Sequence, residues 1–224
     1  MMMTVKGLAA IALAAATLTG TAARADLLFL GPDTIREEGH DNVTRLVRLR
    51  ANSVERGETR AIGGSASDRA IGIGRGIERR AVAPSFSSLD IEDASLLRIA
   101  LSVSEPRSRR LEDLVLNDLT IRLQNGSGGQ APVTFSTGPR YLLHSNQLNA
   151  GEGFIFALDA AQAALANAFV AQGFDRVTLS TSMSRTQNSY ETFYAYAVPE
   201  PSTYTMLAAG LAALALVALR RKRH

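Results

Sequence analysis

LTIRLQNGS, residues 119–127, decides the fold. Ile121 and Leu123 are apolar and Arg122 between them is charged, so an extended chain here turns one face to a core and the other to water. Asn125-Gly126 follows directly, a dipeptide suited to a turn between strands. Val47-Arg48-Leu49-Arg50 repeats the alternation. Outward from these two stretches, short runs rich in β-branched and aromatic residues, separated by Gly, Pro, Asn and Ser, predict strands over 27–30, 44–50, 71–77, 96–103, 119–123, 133–136, 154–158, 177–183 and 192–198. Strands with one wet face favour antiparallel pairing, and the expected fold is mainly β: an antiparallel β-sandwich, jelly-roll or Ig-like.

One helix interrupts this pattern, over about 159–172. Asp159 is suited to the N-cap, with Gln162 three residues on completing a capping box. Ala161, Leu165, Ala168 and Phe169 are expected on its buried face, and Gly173 fits the C′ position.

The chain of 224 residues is 46% hydrophobic with a mean hydropathy of +0.03, ordinary for one globular domain. Its apolar residues are nevertheless concentrated at both ends. Lys6 precedes the apolar run 7–18, and small residues lead to Ala23-Arg24-Ala25. This order is that of a secretory signal peptide, residues 1–25, with cleavage by signal peptidase after Ala25 and a mature start at Asp26. Residues 26–198 hold 18 arginines and no lysine against 20 acidic residues, a balance of −2. The excess positive charge therefore sits in the terminal segments, and the basic pI gives no reason to expect nucleic-acid binding. The Arg75–Arg80 and Arg107–Arg110 clusters read as solvated loops. Cysteine is absent. Disulfides, thiolate metal sites and a lipid-modified N-terminal Cys are excluded, so the exported domain must rely on its apolar core.

At the other end, Val198-Pro199-Glu200-Pro201-Ser202 cannot continue a strand or helix, because each proline removes a donor and restricts the residue before it. Residues 203–219 carry no charge; as a helix they span about 25 Å, at the short end of a transmembrane crossing. Arg220, Arg221, Lys222 and Arg223 are then expected to act as a stop-transfer signal that stays on the cytoplasmic side of a membrane. Proline pair, apolar helix and basic tail, in this order, resemble the sorting signal of PEP-CTERM proteins, exported bacterial substrates of exosortase. The resemblance covers 198–224 and implies a Gram-negative host with exopolysaccharide machinery. It further implies transient anchoring on the periplasmic side of the inner membrane, cutting near the Pro199-Glu200-Pro201 motif, and a final location at the cell surface or in the extracellular matrix. Segments 153–169, 174–183 and 191–193 also resemble central domains of some PEP-CTERM proteins, a resemblance that brings no activity with it. The expected division is 1–25 signal peptide, 26–197 exported β-rich domain and 198–224 sorting signal.

The central domain offers little chemistry. His40 and His144 are its only imidazoles, and neither G-x-S-x-G nor H-E-x-x-H is present. Gly72-Ile73-Gly74-Arg75-Gly76 has the wrong spacing for a dinucleotide loop and reads as a bulged or flexible strand. Asp90-Ile91-Glu92-Asp93 and the group Glu112, Asp113, Asn117 and Asp118 supply oxygen ligands for calcium without any recognised spacing, and a solvated face is the simpler reading. Asn42-Val43-Thr44 and Asn125-Gly126-Ser127 match a glycosylation triplet that has little force in a bacterium. No catalytic residue, metal or cofactor is expected. The expected function is a non-enzymatic surface or matrix protein that binds polysaccharide or copies of itself, with Tyr141, Tyr190, Phe193, Tyr194 and Tyr196 as stacking faces. The alternative is a secreted hydrolase with a sparse site around His40 or His144.

Overall fold

Alternating hydrophobicity extends well beyond the stretches that first suggest it. The computed structural model describes residues 27–35, 43–50, 52–60, 69–73, 82–104, 113–126, 131–138, 140–144, 147–149, 151–187 and 190–198. Their strands are β1 (Leu28–Thr34), β2 (Thr44–Leu49), β3 (Asn52–Arg60), β4 (Arg69–Ile73), β5 (Leu97–Ser104), β6 (Leu114–Gln124), β7 (Val133–Ser136), β8 (Tyr141–Leu143), β9 (Glu152–Ala157), β10 (Arg176–Gln187) and β11 (Tyr190–Ala197). One helix, α1 (Ala160–Val170), joins β9 to β10.

The protein is mainly β. Its strands form two antiparallel sheets, one in the order β1-β9-β5-β11-β2 and one in the order β4-β3-β10-β6-β7, with β8 also paired to β6. One apolar cluster takes side chains from both: Leu46, Leu49, Ile99, Leu101, Phe154, Phe156 and Phe193 from the first, Leu119, Ile121, Leu123, Phe135, Val177 and Leu179 from the second. Within β6 the residues Leu114, Leu116, Leu119, Ile121 and Leu123 are buried. Strict alternation fails between Leu116 and Leu119, and a register shift opposite Ser182/Met183 supplies the extra residue that keeps both leucines inward.

β2 and β3 are consecutive but lie in different sheets. Their closeness is set by small and polar side chains. A Cβ on Gly57 would stand 2.5 Å from Leu49 Cδ2, and the Thr59 hydroxyl donates to the Leu46 carbonyl at 3.1 Å. Gly57 is therefore required by close approach rather than by a turn.

The helix cap forms as expected. The Asp159 side chain accepts from the Gln162 N–H at 2.7 Å, and the Gln162 side chain returns a bond to the Asp159 N–H at 2.9 Å. The buried face differs from the expectation. Gln162, Ala163 and Ala166 are buried, whereas Ala161, Leu165 and Ala168 are exposed, Leu165 by 47%. Phe169 packs against the core as expected, but Leu165 does not; Ala163 and Ala166 set the docking face, because they allow close approach. Gly173 has φ +90°, its N–H bonds to the Val170 carbonyl, and the Phe174 N–H reaches back to the Phe169 carbonyl at 3.1 Å. The Phe169 and Phe174 rings then meet edge to face with centroids 5.5 Å apart, which completes a Schellman ending.

β10 carries one strained residue. Arg185 has φ 63° where the register with β3 slips between Ser184 and Thr186. An L-residue in this region costs about 1–2 kcal/mol, partly offset in an Arg185→Gly variant by the freer unfolded chain. Urea denaturation of that variant should show a gain of about 0.5–1 kcal/mol.

No helix among the described residues is long and apolar enough to cross a membrane. The helix expected over 203–219 lies outside them, as do residues 1–25 of the expected signal peptide.

Candidate functional site

β11 is the element that places most of the candidate residues. It lies between β5 and β2, with Phe193 opposite Leu101 and Val47, and Ala195 opposite Ile99 and Thr44. Its period of two puts Glu191, Phe193 and Ala195 on the core side and Tyr190, Thr192, Tyr194 and Tyr196 on the other. This separates the five proposed aromatic platforms. Phe193 is fully buried and cannot stack on a sugar. Tyr141 is committed to an aromatic cluster, 5.1 Å from the Phe29 centroid and 5.8 Å from that of Phe156. Tyr196 is 4% exposed, packed with Ile35, Ala100 and Ile155 in a second apolar cluster. Tyr190 and Tyr194 remain partly exposed.

Tyr190 is flanked by arginines of the neighbouring strand. The Arg48 guanidinium lies 3.8 Å from its ring centroid and that of Arg50 4.9 Å, while Arg50 Nη1 donates to the Tyr190 hydroxyl at 3.2 Å. Each of these contacts contributes about 0.5–1 kcal/mol at such half-exposed positions. The result is a cationic, aromatic surface on the face of β2 and β11 turned away from the core. Arg98 lies on the same face, in register with Tyr196. Its burial lowers its pKa from the usual range, with the Tyr196 side chain opposing that shift, and Nη1 donates to the Ser95 and Leu97 carbonyls.

Asp93, Asn117 and Asp118, three of the side chains proposed for calcium, have other partners. Asp93 accepts from the Ser95 N–H at 2.7 Å and from Asn167 Nδ2 at 3.0 Å, while Asn167 Oδ1 accepts the Ala94 N–H at 2.8 Å. Asp93 thus caps a short 3-10 turn (Ala94–Leu96) and fastens it to α1. Bonds from the Ser95 side chain and backbone, then from Asn167, hold its pKa below the usual carboxylate value. A depressed native pKa gives stability that is complete above the unfolded value of about 3.9 and is lost as pH falls through the native pKa. An Asp93→Asn variant should therefore be less stable than the parent at neutral pH, with the difference shrinking below about pH 4 in acid-unfolding curves. Asn117 Nδ2 donates to Ser184 Oγ at 3.1 Å, and Asp118 accepts the Thr120 hydroxyl at 3.2 Å. Among the described residues no group of three or more His, Cys, Asp or Glu is placed to hold a metal ion; Glu112 lies outside them.

His144 follows β8 and Asp113 precedes β6, and the Leu114–Leu143 pairing of those strands brings them together. His144 Nδ1 stands 2.6 Å from Asp113 Oδ1. The two side chains form a partly exposed imidazole–carboxylate pair. Asp113 is the ring's one hydrogen-bond partner among the described residues. His40 lies outside the described residues, as do Ala23, Ala25, Asp26, Pro199, Glu200, Pro201, Arg220, Arg221, Lys222 and Arg223. Two further acids escape sequence reading: Glu55 and Glu191, fully buried on the core faces of β3 and β11 and each engaged in a polar interaction. Carboxylates rarely enter a core, and nothing in the local pattern marks these two as inward.

At its far end β11 runs directly into the tail. Ala197 pairs with Leu97, and the Val198 N–H donates to the Leu96 carbonyl at 3.0 Å; Pro199 is next in the chain. No curated protein and no solved structure matches the chain. Residues 197–223 match the family model described as the PEP-CTERM protein-sorting motif, a range that opens on the last residue of β11. That motif is the mark of an exported protein targeted to exosortase, held transiently by its C-terminus and sorted to the cell surface. The chain carries a PEP-CTERM protein-sorting motif over 197–223.

Proposed function

We propose that this is a non-enzymatic surface or matrix module in which a β-sandwich associates with polysaccharide, delivered by signal peptidase cleavage after Ala25 and exosortase processing near Pro199-Glu200-Pro201. The sorting motif at 197–223 is the observation that carries this reading. The surface built from Tyr190, Arg48 and Arg50 supports its binding half, because a flat ring held beside guanidinium groups suits the apolar face and hydroxyls of a sugar. Export without cysteine accords with a domain held by its core alone. The test is retention of the processed, exported protein on polysaccharide from an exosortase-bearing host. Retention that falls severalfold in a Tyr190→Ala variant supports the proposal; parent protein that elutes with an inert control refutes the binding half.

The hydrolase alternative is favoured by one observation, the His144–Asp113 pair. It requires activity on an ester or glycoside that disappears in His144→Asn. A parent protein without such activity across both substrate classes sets this alternative aside.

A further inference from the structure

The outer face of β2 and β11 concentrates charge of one sign. Arg48 stands opposite Thr192 and Arg45 opposite Tyr194, and Arg50 follows directly on the last residue of β2. On the other side of β11, Ser102 of β5 is opposite Thr192. No acid occupies an outward position on these strands; Glu191, the one acidic residue in their sequences, is fully buried on the core side. Three arginines thus share one face of a domain in which 20 acidic residues outnumber 18 arginines. β2 is also the edge strand of its sheet, so the face is open along one side. From Arg45 to Arg50 there are five residue steps, about 17 Å along a strand, which is longer than one sugar ring.

Tyr190 carries arginine rather than offering a bare ring. The Arg48 guanidinium, 3.8 Å from the centroid, covers one face of it, and that of Arg50 lies 4.9 Å away. Such a contact engages the positive charge but consumes no N–H donor. Among the described residues no carboxylate pairs with Arg48, and its Nε is buried without a hydrogen-bond partner. Buried donors are nearly always paired, and a charged group left without an acceptor is costly. An anion on this face offsets that cost. Arginine's planar fork of donors matches the two oxygens of a carboxylate. A membrane is the other anionic surface that such a face could meet. None of the exposed large apolar side chains among the described residues lies on β2, β5 or β11, however, so nothing there would enter an acyl layer.

We infer that the face formed by Arg45, Arg48 and Arg50 selects acidic polysaccharide, a polymer whose sugars bear carboxylates. Arg48 is a binding residue, and Tyr190 is the positioning residue that holds it. The inference rests on the polysaccharide reading given above and narrows it from sugars in general to the uronate class. Carboxylates repeated along an extended polymer meet guanidinium groups repeated along β2. Each exposed pair is weak, and affinity comes from several engaged by one chain.

The test is retention of the exported protein, purified from an exosortase-bearing host, on three probes: polygalacturonate, the same polymer with its carboxylates methyl-esterified, and phosphatidylglycerol vesicles. Retention should be about tenfold stronger on the free acid than on the ester, the effect of losing the charge-assisted pairs. It should fall severalfold between about 0.05 M and about 0.5 M NaCl, as the Debye length shortens. Arg48→Gln should weaken it about tenfold, whereas Tyr190→Phe, which keeps the ring, should retain at least about a third of it. Urea midpoints of the same samples separate lost binding from lost folding. Equal retention on acid and ester, or a folded Arg48→Gln protein retained like the parent, overturns the inference and leaves polysaccharide association standing. Retention on the vesicles but not on polygalacturonate overturns it in favour of a membrane surface. A parent that elutes with an inert control from polygalacturonate, its ester and the host polysaccharide alike overturns both this inference and the reading beneath it.

Discussion

Phe193→Ala is expected to lower stability by about 3–5 kcal/mol, the usual result of emptying a large aromatic site that the surrounding core cannot refill. The side chain is fully buried at the middle of β11, opposite Leu101 on one neighbour and Val47 on the other. Against a total of about 5–15 kcal/mol for a domain, the loss is about a fifth of the whole or more. Urea denaturation should show a lower midpoint with an unchanged slope. Tyr190→Ala on the same strand provides the contrast. It removes two arginine stacks on the outer face, so its effect should be about 1–2 kcal/mol. Equal losses in the two variants would contradict the facing assigned to β11.

Changing Pro199, Glu200 and Pro201 together to Ala should abolish exosortase-dependent processing while leaving the fold intact. All three lie beyond Val198, the end of the described residues, whose N–H donates to the Leu96 carbonyl. Thermal melting of the variant should match the parent within about 0.5 kcal/mol, as expected for changes away from core, caps and strained sites. Immunoblots should show the full-length chain accumulating in the membrane fraction with no shortened product. Wild-type levels of processing would show that these three side chains are not read by the enzyme.

The sequence announces β structure because alternation and turn residues act over a few positions. Leu119–Leu123, Val177–Met183 and, of 154–158, Phe154–Ala157 appear in strands, and Asn125-Gly126 follows the end of β6. What escapes reading is structure whose inward residues are not apolar. β3 points Glu55, Gly57 and Thr59 into the interior, so it carries no hydrophobic stripe at all. β8 is only three residues long. The helix illustrates the complementary error: its boundary and cap follow from Asp159, Gln162 and Gly173, but its orientation depends on how closely it approaches its neighbours. Asn167, whose side chain joins Asp93 and Ala94 across more than seventy positions, could not be foreseen from either segment alone. The candidate site divides in the same way. The sorting motif is contiguous and legible as a string, whereas the Tyr190–Arg48–Arg50 surface and the His144–Asp113 pair exist only once strands distant in sequence are laid side by side.

Because Pro199 follows soon after β11 in the chain, a tug on a tethered copy enters the fold at the end of that strand, and a pull along the strand axis loads its whole length. The ladder bonds to β5 and β2 lie across this direction, so they are loaded in shear and must yield together rather than one at a time. A tether attached to an outermost strand and pulled sideways would unzip bond by bond. Forced unfolding is governed by the unfolding rate, so this attachment should lengthen the survival of a displayed domain under fluid drag without adding to its equilibrium stability.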